Sequence, residues 1–257
     1  MTKLSVNVNK IALLRNSRNI GIPSVIDAAR TCVDAGAHGI TVHPRPDHRH
    51  VRPSDVDELA EILTVEFNIE GNPFAASSGS YPGFLAIVRR ARPAQCTLVP
   101  DAPGQLTSDH GWDLAKDAER LKPILAELKE LEIRISLFMD PALEQIERAA
   151  ALQADRVELY TEAYASAYAR GDVEEVFARY ARAAEAAQQL GLGVNAGHDL
   201  NLDNLGRFCS IPGILEVSIG HALMADALQM GLRKTVQEYL RLLSGAGRQS
   251  GSAEGKA

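Results

Sequence analysis

HGITVHPRPDHRHVRPSDVDELAEILTVEFNIE, residues 38–70, decides the fold. It opens on an apolar run, His38 to Val42, suited to a buried strand, and closes on a second, Val65 to Glu70. Between them, Pro53 to Leu63 has helical spacing, with a start at Pro53 or Ser54. The unit reads strand, helix, strand. The first strand ends abruptly in His43, Pro44, Arg45, Pro46, Asp47, His48, Arg49 and His50, where alternate prolines exclude helix and stiffen the backbone. A rigid, cationic, titratable loop is costly unless it binds something; the plain alternative is a solvated basic turn.

The same alternation runs outward in both directions. Upstream lie strand Leu4 to Val8 and helix Pro23 to Ala35, which stops at Gly36. Downstream follow a Gly/Ser/Pro-rich patch (Gly71 to Gly83), helix Phe84 to Ala91, strand Gln95 to Val99, and a loop from Asp101 to Gly111 with the composition of a mobile segment. Helix Asp113 to Leu131 carries an internal Pro123, and strand Ile133 to Phe138, helix Pro141 to Leu152 and strand Asp155 to Tyr160 continue the series. The last third reads as helix Val173 to Leu190, strand Gly191 to Asn195, short helix Leu202 to Cys209, strand Ile214 to Ile219 and final helix Ala222 to Leu243. Eight strands alternating with eight helices, with no linker or composition break, predict a single α/β domain: a (β/α)₈ TIM barrel over residues 1–244. The tail from Gly245 to Ala257 is Gly, Ser and charge, a composition expected to be disordered.

Composition narrows the function. The chain has 257 residues, 46% of them hydrophobic, enough to bury a large core. A net charge of −6 argues against a nucleic-acid or membrane-surface binder, so basic loops must be aimed at small anions. Cys32, Cys96 and Cys209 sit far apart in apolar stretches and read as buried reduced thiols, not a disulfide framework or a zinc site. Neither a signal peptide nor a membrane-length apolar run is visible, and a cytoplasmic protein is expected.

A barrel of this kind places its active site at the C-terminal ends of the strands. Those ends supply Asn7 and Asn9, His43 and Arg45, Glu70, Thr97 or the Asp101 loop, Asp140, then Glu158, Tyr160 and Thr161, Asn195 and His198, and finally Ser218 with Gly220 and His221. Two anion sites follow. At Ser218 to His221 a strand ends in glycine and a helix begins, so bare N–H groups and the helix dipole face the mouth, with Asn195 to His198 beside them. Arg15, Arg18, Arg45, Arg49 and His50 form a basic second site, unless the arginines pair with Asp27, Asp47 or Asp55. Between the two lie His43, Glu70 and His198, three groups able to move protons near neutral pH. A phosphorylated carbonyl substrate in such a site suggests enolisation, condensation or dehydration, although Glu70 could instead be an arginine's salt-bridge partner.

Five segments in order carry a family resemblance: SVNVNKIALLRNSR at Ser5 to Arg18, GITVHPRPDHRH at Gly39 to His50, FNIEG at Phe67 to Gly71, NAGHDL at Asn195 to Leu200 and SIGHAL at Ser218 to Leu223. Together they resemble the pyridoxine 5′-phosphate synthase family, in its branch with Asn-Lys in the first strand motif, from about Leu4 to Leu243. The resemblance implies a (β/α)₈ transferase of vitamin B6 biosynthesis, homo-octameric, with no metal or organic cofactor. It implies condensation of 1-deoxy-D-xylulose 5-phosphate with 3-amino-2-oxopropyl phosphate to pyridoxine 5′-phosphate, phosphate and water. By matching motif, His43 and Glu70 would accept protons and His198 would donate one. Asn7, Arg18, Asp199, Gly220 and His221 would hold the amino-ketone phosphate; Asn9, Lys10, Arg45, His50 and Thr107 would hold the sugar phosphate. Glu158, at the end of its strand, joins the substrate-binding candidates.

The chain departs from the common pattern at four places. Asn9-Lys10 stands where many members have Asp-His, and the loop from Asp101 to Gln105 is nearly neutral where Glu-Lys-Arg is usual, which predicts a weaker lid. Asp199 replaces a common glycine, putting a negative charge near the first phosphate unless it turns away and caps the helix at Asn201 to Asn204. Phe74 to Tyr81 reads as a small insertion. Two other functions fit the same barrel: a metal-dependent sugar isomerase or epimerase using Glu70, Glu158, Asp140 and His198 as ligands, and a catalytically lapsed barrel that senses a phosphorylated metabolite.

Overall fold

Side chains that alternate between two environments build each strand. The computed structural model describes residues 1–18, 20–102 and 104–250, with side chains as far as 245. Its strands are β1 (Lys3–Asn7), β2 (Gly39–Val42), β3 (Glu66–Gly71), β4 (Gln95–Leu98), β5 (Arg134–Met139), β6 (Arg156–Tyr160), β7 (Gly193–Gly197) and β8 (Ile214–Ile219). Each pairs in parallel with the next and β8 closes onto β1, giving the expected eight-stranded barrel. One face of every strand is apolar: Leu4, Ile40, Ile69, Leu98, Leu137, Leu159, Val194 and Val217 are buried. They belong to the core shared with the surrounding helices, where burial of apolar area supplies the main driving force.

The opposite face is polar. Ser5, Thr41, Asn68, Thr97, Ser136, Glu158, Asn195 and Glu216 are all buried. Ser5 Oγ and Thr41 Oγ1 lie 2.7 Å apart, Asn68 donates to Thr41 at 3.4 Å, and Thr97 donates to Asn68 at 3.1 Å. Lower down, Gln95 and Asn195 both donate to Glu216 at 3.4 Å, joining strands from opposite sides of the barrel. The lumen is therefore a hydrogen-bonded network, and the strands alternate where strands covered on both faces ordinarily read as continuous apolar runs.

The helices, in order, are α1 (Asn9–Asn16), α2 (Val25–Asp34), α3 (Pro53–Ile62), α4 (Phe84–Ala91), α5 (Leu114–Glu130), α6 (Leu143–Ala151), α7 (Glu162–Arg170), α8 (Val173–Gln189), α9 (Leu205–Phe208), α10 (His221–Met230) and α11 (Leu232–Ser250). α1 and α7 were not expected from the sequence. The single final helix is two, divided at Gly231, whose φ of 79° is left-handed and stops α10. α11 runs to Ser250, past the Gly245 boundary assigned to the tail, and the remainder, 251–257, lies outside the described residues. β7 begins two positions later than expected because Gly191, at φ 82°, belongs to the turn after α8.

Local capping sets where α2 starts. Ser24 is extended and its Oγ accepts from the Asp27 N–H at 3.1 Å, and Asp27 itself favours the positive end of the helix. Ser24→Ala is expected to cost about 1 kcal/mol in urea-induced unfolding, the usual worth of an N-cap hydroxyl. An unchanged unfolding midpoint would refute that assignment.

Candidate active site

The strand ends open into one cavity of about 380 Å³. Of the fourteen residues given catalytic or substrate-binding roles, thirteen line it: Asn7, Asn9, Lys10, His43, Arg45 and His50 on one side; Glu70, Thr107, Glu158, His198, Asp199, Gly220 and His221 on the other. Arg18 does not. It is exposed just beyond α1. Of the remaining strand-end candidates Ser218 lines it, and Thr97, Tyr160, Thr161 and Asn195 do not.

The centre is built by β2 and β3. His43 follows the last residue of β2 and is buried, its Nδ1 4.0 Å from Glu70 Oε2 and its Nε2 3.7 Å from Asp101 Oδ2. Burial, reinforced by the charges of Arg45, His50 and Arg49, holds its pKa well below the ordinary histidine value. His43 is thus a neutral imidazole able to accept a proton. Glu70 is shifted the other way: burial, and then the negative charge of Asp101, push its carboxyl up to about 8. Asn7 Nδ2 donates to it at 3.4 Å. Glu158, also lining the cavity, is raised well above the ordinary carboxyl value by burial and then by the charges of Glu70 and Glu216, while Thr97 donates to it at 3.5 Å. Its approach depends on Gly197, where a Cβ would stand 2.2 Å from Glu158 Oε1.

The basic pole is more paired than isolated arginines would be. Arg15 is taken out of it, bound in a buried two-point pair to Asp55 at 2.5 and 2.9 Å. Arg49 pairs with Asp47. Both are pairings the sequence left open; Asp27 instead lies 3.7 Å from Arg30. Arg45 is buried against Asp101, a partner the sequence did not indicate. Arg45 and Arg49 also donate to the Gln105 and Leu106 carbonyls, at 3.3 and 2.9 Å. The β4 loop is thereby drawn across the mouth, with Ser108 donating to Asp101 at 3.0 Å and Thr107 Oγ1 2.8 Å from His198 Nε2. The expectation that this loop is mobile includes Pro103, which lies outside the described residues.

The other pole is formed by β7 and β8. Gly220 precedes α10, whose first N–H groups lack intrahelical partners, and Gly220 and His221 both face the cavity. His198 follows β7, its ring edge-on to Tyr160 with centroids 5.2 Å apart. Apolar walls missed in the sequence come from Leu13, Val99, Leu106, Phe138 and Leu200. Leu13 was out of reach because α1 was not expected; Phe138 was the strand end passed over in favour of Asp140. Asp140 itself accepts from the Gly111 N–H at 3.1 Å, away from the cavity lining. Glu70, Glu158, Asp140 and His198 are not gathered into a ligand set, and no group of three or more His, Cys, Asp or Glu among the described residues is arranged to hold a metal ion.

The family model described as pyridoxal phosphate biosynthesis protein PdxJ matches residues 4–245. The chain belongs to this family. Among PdxJ relatives, the pyridoxine 5′-phosphate synthase of Xanthomonas axonopodis pv. citri is 56% identical over 246 residues, covering 94% of this chain and 96% of that protein. The enzyme of the same name from Xylella fastidiosa is 54% identical, covering 94% and 95%. Among solved structures, the Amycolatopsis orientalis BexX/CysO complex contains a chain at TM-score 0.66 and 14% identity, covering 100% of this chain and 94% of that one, a likeness of fold alone.

Seen as a PdxJ chain, the departures acquire structural roles. Asn9 Oδ1 accepts from the His43 N–H at 2.9 Å, a contact a carboxylate at that position would also make. The Phe74 to Tyr81 segment braces the β2 loop: Tyr81 donates to the Pro44 carbonyl at 3.3 Å, and Ser80 Oγ lies 3.1 Å from His48 Nε2. Asp199 does not cap the Asn201 to Asn204 turn. Its carboxylate accepts from His198 Nδ1 at 2.7 Å instead.

Proposed function

We propose that this chain condenses 1-deoxy-D-xylulose 5-phosphate with 3-amino-2-oxopropyl phosphate and closes the pyridine ring, releasing pyridoxine 5′-phosphate, phosphate and water. The observation that carries the reading is a cavity in which a neutral His43, a Glu70 titrating near 8 and His198 lie between two anion-receptive poles. The amine attacks the pentulose ketone and loses one water to form an imine. Elimination then expels phosphate, and an aldol-type closure followed by loss of a second water aromatises the ring. His43 and Glu70 accept protons, and His198 donates one to a departing oxygen. The helix-α10 pole, with Asn7, Asp199, Gly220 and His221, takes the amino-ketone phosphate; Asn9, Lys10, Arg45, His50 and Thr107 take the sugar phosphate. Glu158 backs the cavity and keeps company with Glu70.

The reading extends to assembly and place. We infer a cytoplasmic homo-octamer of one-domain subunits. Exposed Leu14, Ile20 and Ile22 around Arg18 support self-association, and the assignment of Arg18 to the amino-ketone phosphate belongs to that assembled state. No helix among the described residues is long and apolar enough to cross a membrane.

The test is incubation of chelator-treated protein with both substrates while pyridine absorbance and free phosphate are followed. Both are expected to appear together. No pyridine product, but metal-dependent conversion of the sugar phosphate alone, would favour the isomerase or epimerase alternative, and thermal stabilisation by both substrates without turnover would mean a barrel that binds but no longer converts.

A further inference from the structure

We propose that Asp199 is a positioning residue, whose carboxylate holds the His198 imidazole with Nδ1–H turned inward to Asp199 and Nε2 presented to the cavity beside Thr107. The inference rests on the proton-donor role given to His198 above. The two contacts lie on opposite ring nitrogens, 2.7 Å at Nδ1 and 2.8 Å at Nε2. The hydrogen bond from His198, and secondarily its charge and that of His221, hold the Asp199 carboxyl below its ordinary pKa, so Asp199 is ionised and can only accept. Nδ1 must then carry the proton. Nε2 is left as the exchanging nitrogen, free to give a proton to a substrate oxygen and to regain one from water at the mouth.

The backbone is built around this contact. His198 and Asp199 are consecutive left-handed residues, at φ 80° and 54°, a conformation that costs a side chain more than it costs glycine. Thr161 fastens the preceding turn through the Gly197 and His198 carbonyls, and Asn204 Nδ2 donates to the Asp199 carbonyl at 3.1 Å. Among the described residues no lysine or arginine pairs with Asp199, so its carboxylate is committed to the histidine. The arrangement is an acid–imidazole–hydroxyl line from Asp199 through His198 to Thr107, with the reactive end at the cavity.

Asp199→Gly and Asp199→Asn separate this role from substrate contact. Glycine suits the left-handed backbone and keeps the main-chain N–H, so a phosphate bound through that N–H is undisturbed. In both variants kcat is expected to fall by about 10- to 100-fold, the range over which orienting partners of functional histidines act. KM for each phosphorylated substrate should stay within about twofold. A raised KM with kcat unchanged would overturn the proposal by making Asp199 a substrate contact, and full activity of either variant would overturn it outright. A second readout needs no turnover: nitrogen NMR of labelled histidine, with His198 assigned by its loss in His198→Gln, should show a protonated Nδ1 in the parent protein that is lost in Asp199→Gly. The same His198 tautomer with and without the carboxylate would refute positioning even if the parent protein proved inactive; an inactive parent with the expected spectra would instead refute only the reaction.

Discussion

Replacing Glu70 by glutamine is expected to lower kcat by roughly 10²- to 10⁴-fold, the usual contribution of a positioned general base. The pH profile gives the sharper form of this result. A proton acceptor must be ionised, and burial with the neighbouring Asp101 charge raises the Glu70 carboxyl to about 8. kcat/KM should therefore climb with pH through an inflection near about 8, and that rising limb should vanish in Glu70→Gln. The stability consequence has the opposite sign. Folded Glu70 keeps its proton to higher pH than it would in the unfolded chain, so the native state loses stability as pH rises from about 4.5 to about 8. Glu70→Gln escapes that loss and should melt higher than the parent protein above this window. A glutamine variant with parental turnover, or with no alkaline gain in melting temperature, would contradict one half of this account or the other.

Arg15→Met is expected to destabilise the fold by about 3–5 kcal/mol in denaturant unfolding, because it strands a buried carboxylate. Arg15 and Asp55 have side chains only 9% exposed and meet through both guanidinium nitrogens, while Arg15 also donates to the His50 carbonyl at 3.3 Å. Asp55 Oδ2 accepts from the Arg52 N–H at 2.7 Å as well, so the pair ties α1 to the β2 loop and to the start of α3. Removing Asp55 in the Arg15→Met background should then cost much less than removing it alone, a coupling that a double-mutant cycle measures. A loss below about 1 kcal/mol, the value of an exposed pair, would mean that solvent reaches Asp55.

Arg15 also shows why parts of this protein were legible in its sequence and others were not. Pairing to Asp55 or Asp47 could be written down as an option because both acids lie in or just after the arginine-bearing β2 loop, but only Arg49–Asp47 is a neighbour pair; Arg15 and Asp55 stand 40 positions apart and the fold selects them. The Arg45–Asp101 pair spans 56 positions and depends on two strand ends meeting across the mouth, which charge spacing does not encode. The barrel itself was readable because strands and helices repeat with distinct periods. α1 escaped because Leu13 and Leu14 are exposed and Arg15 is buried, so its apolar side chains do not mark its inner face. α7 is short and rich in alanine and tyrosine, with Tyr164 and Ala167 as its only buried residues, too few to set a period. Residue identity located the cavity's polar groups once the barrel was assumed. Partnership within the cavity, as between His198 and Asp199 or between Arg45 and Asp101, required coordinates.

The polar lumen carries a consequence for heat. Exposing apolar surface raises the heat capacity of an unfolding chain and exposing polar surface lowers it. When this barrel opens, Thr41, Asn68, Thr97, Glu158, Asn195 and Glu216 enter water together with the apolar layer outside them, and partly cancel its increment. The stability curve should be flatter than that of a barrel of equal size filled with valine and leucine, with a gentler decline on cooling and on warming away from its maximum.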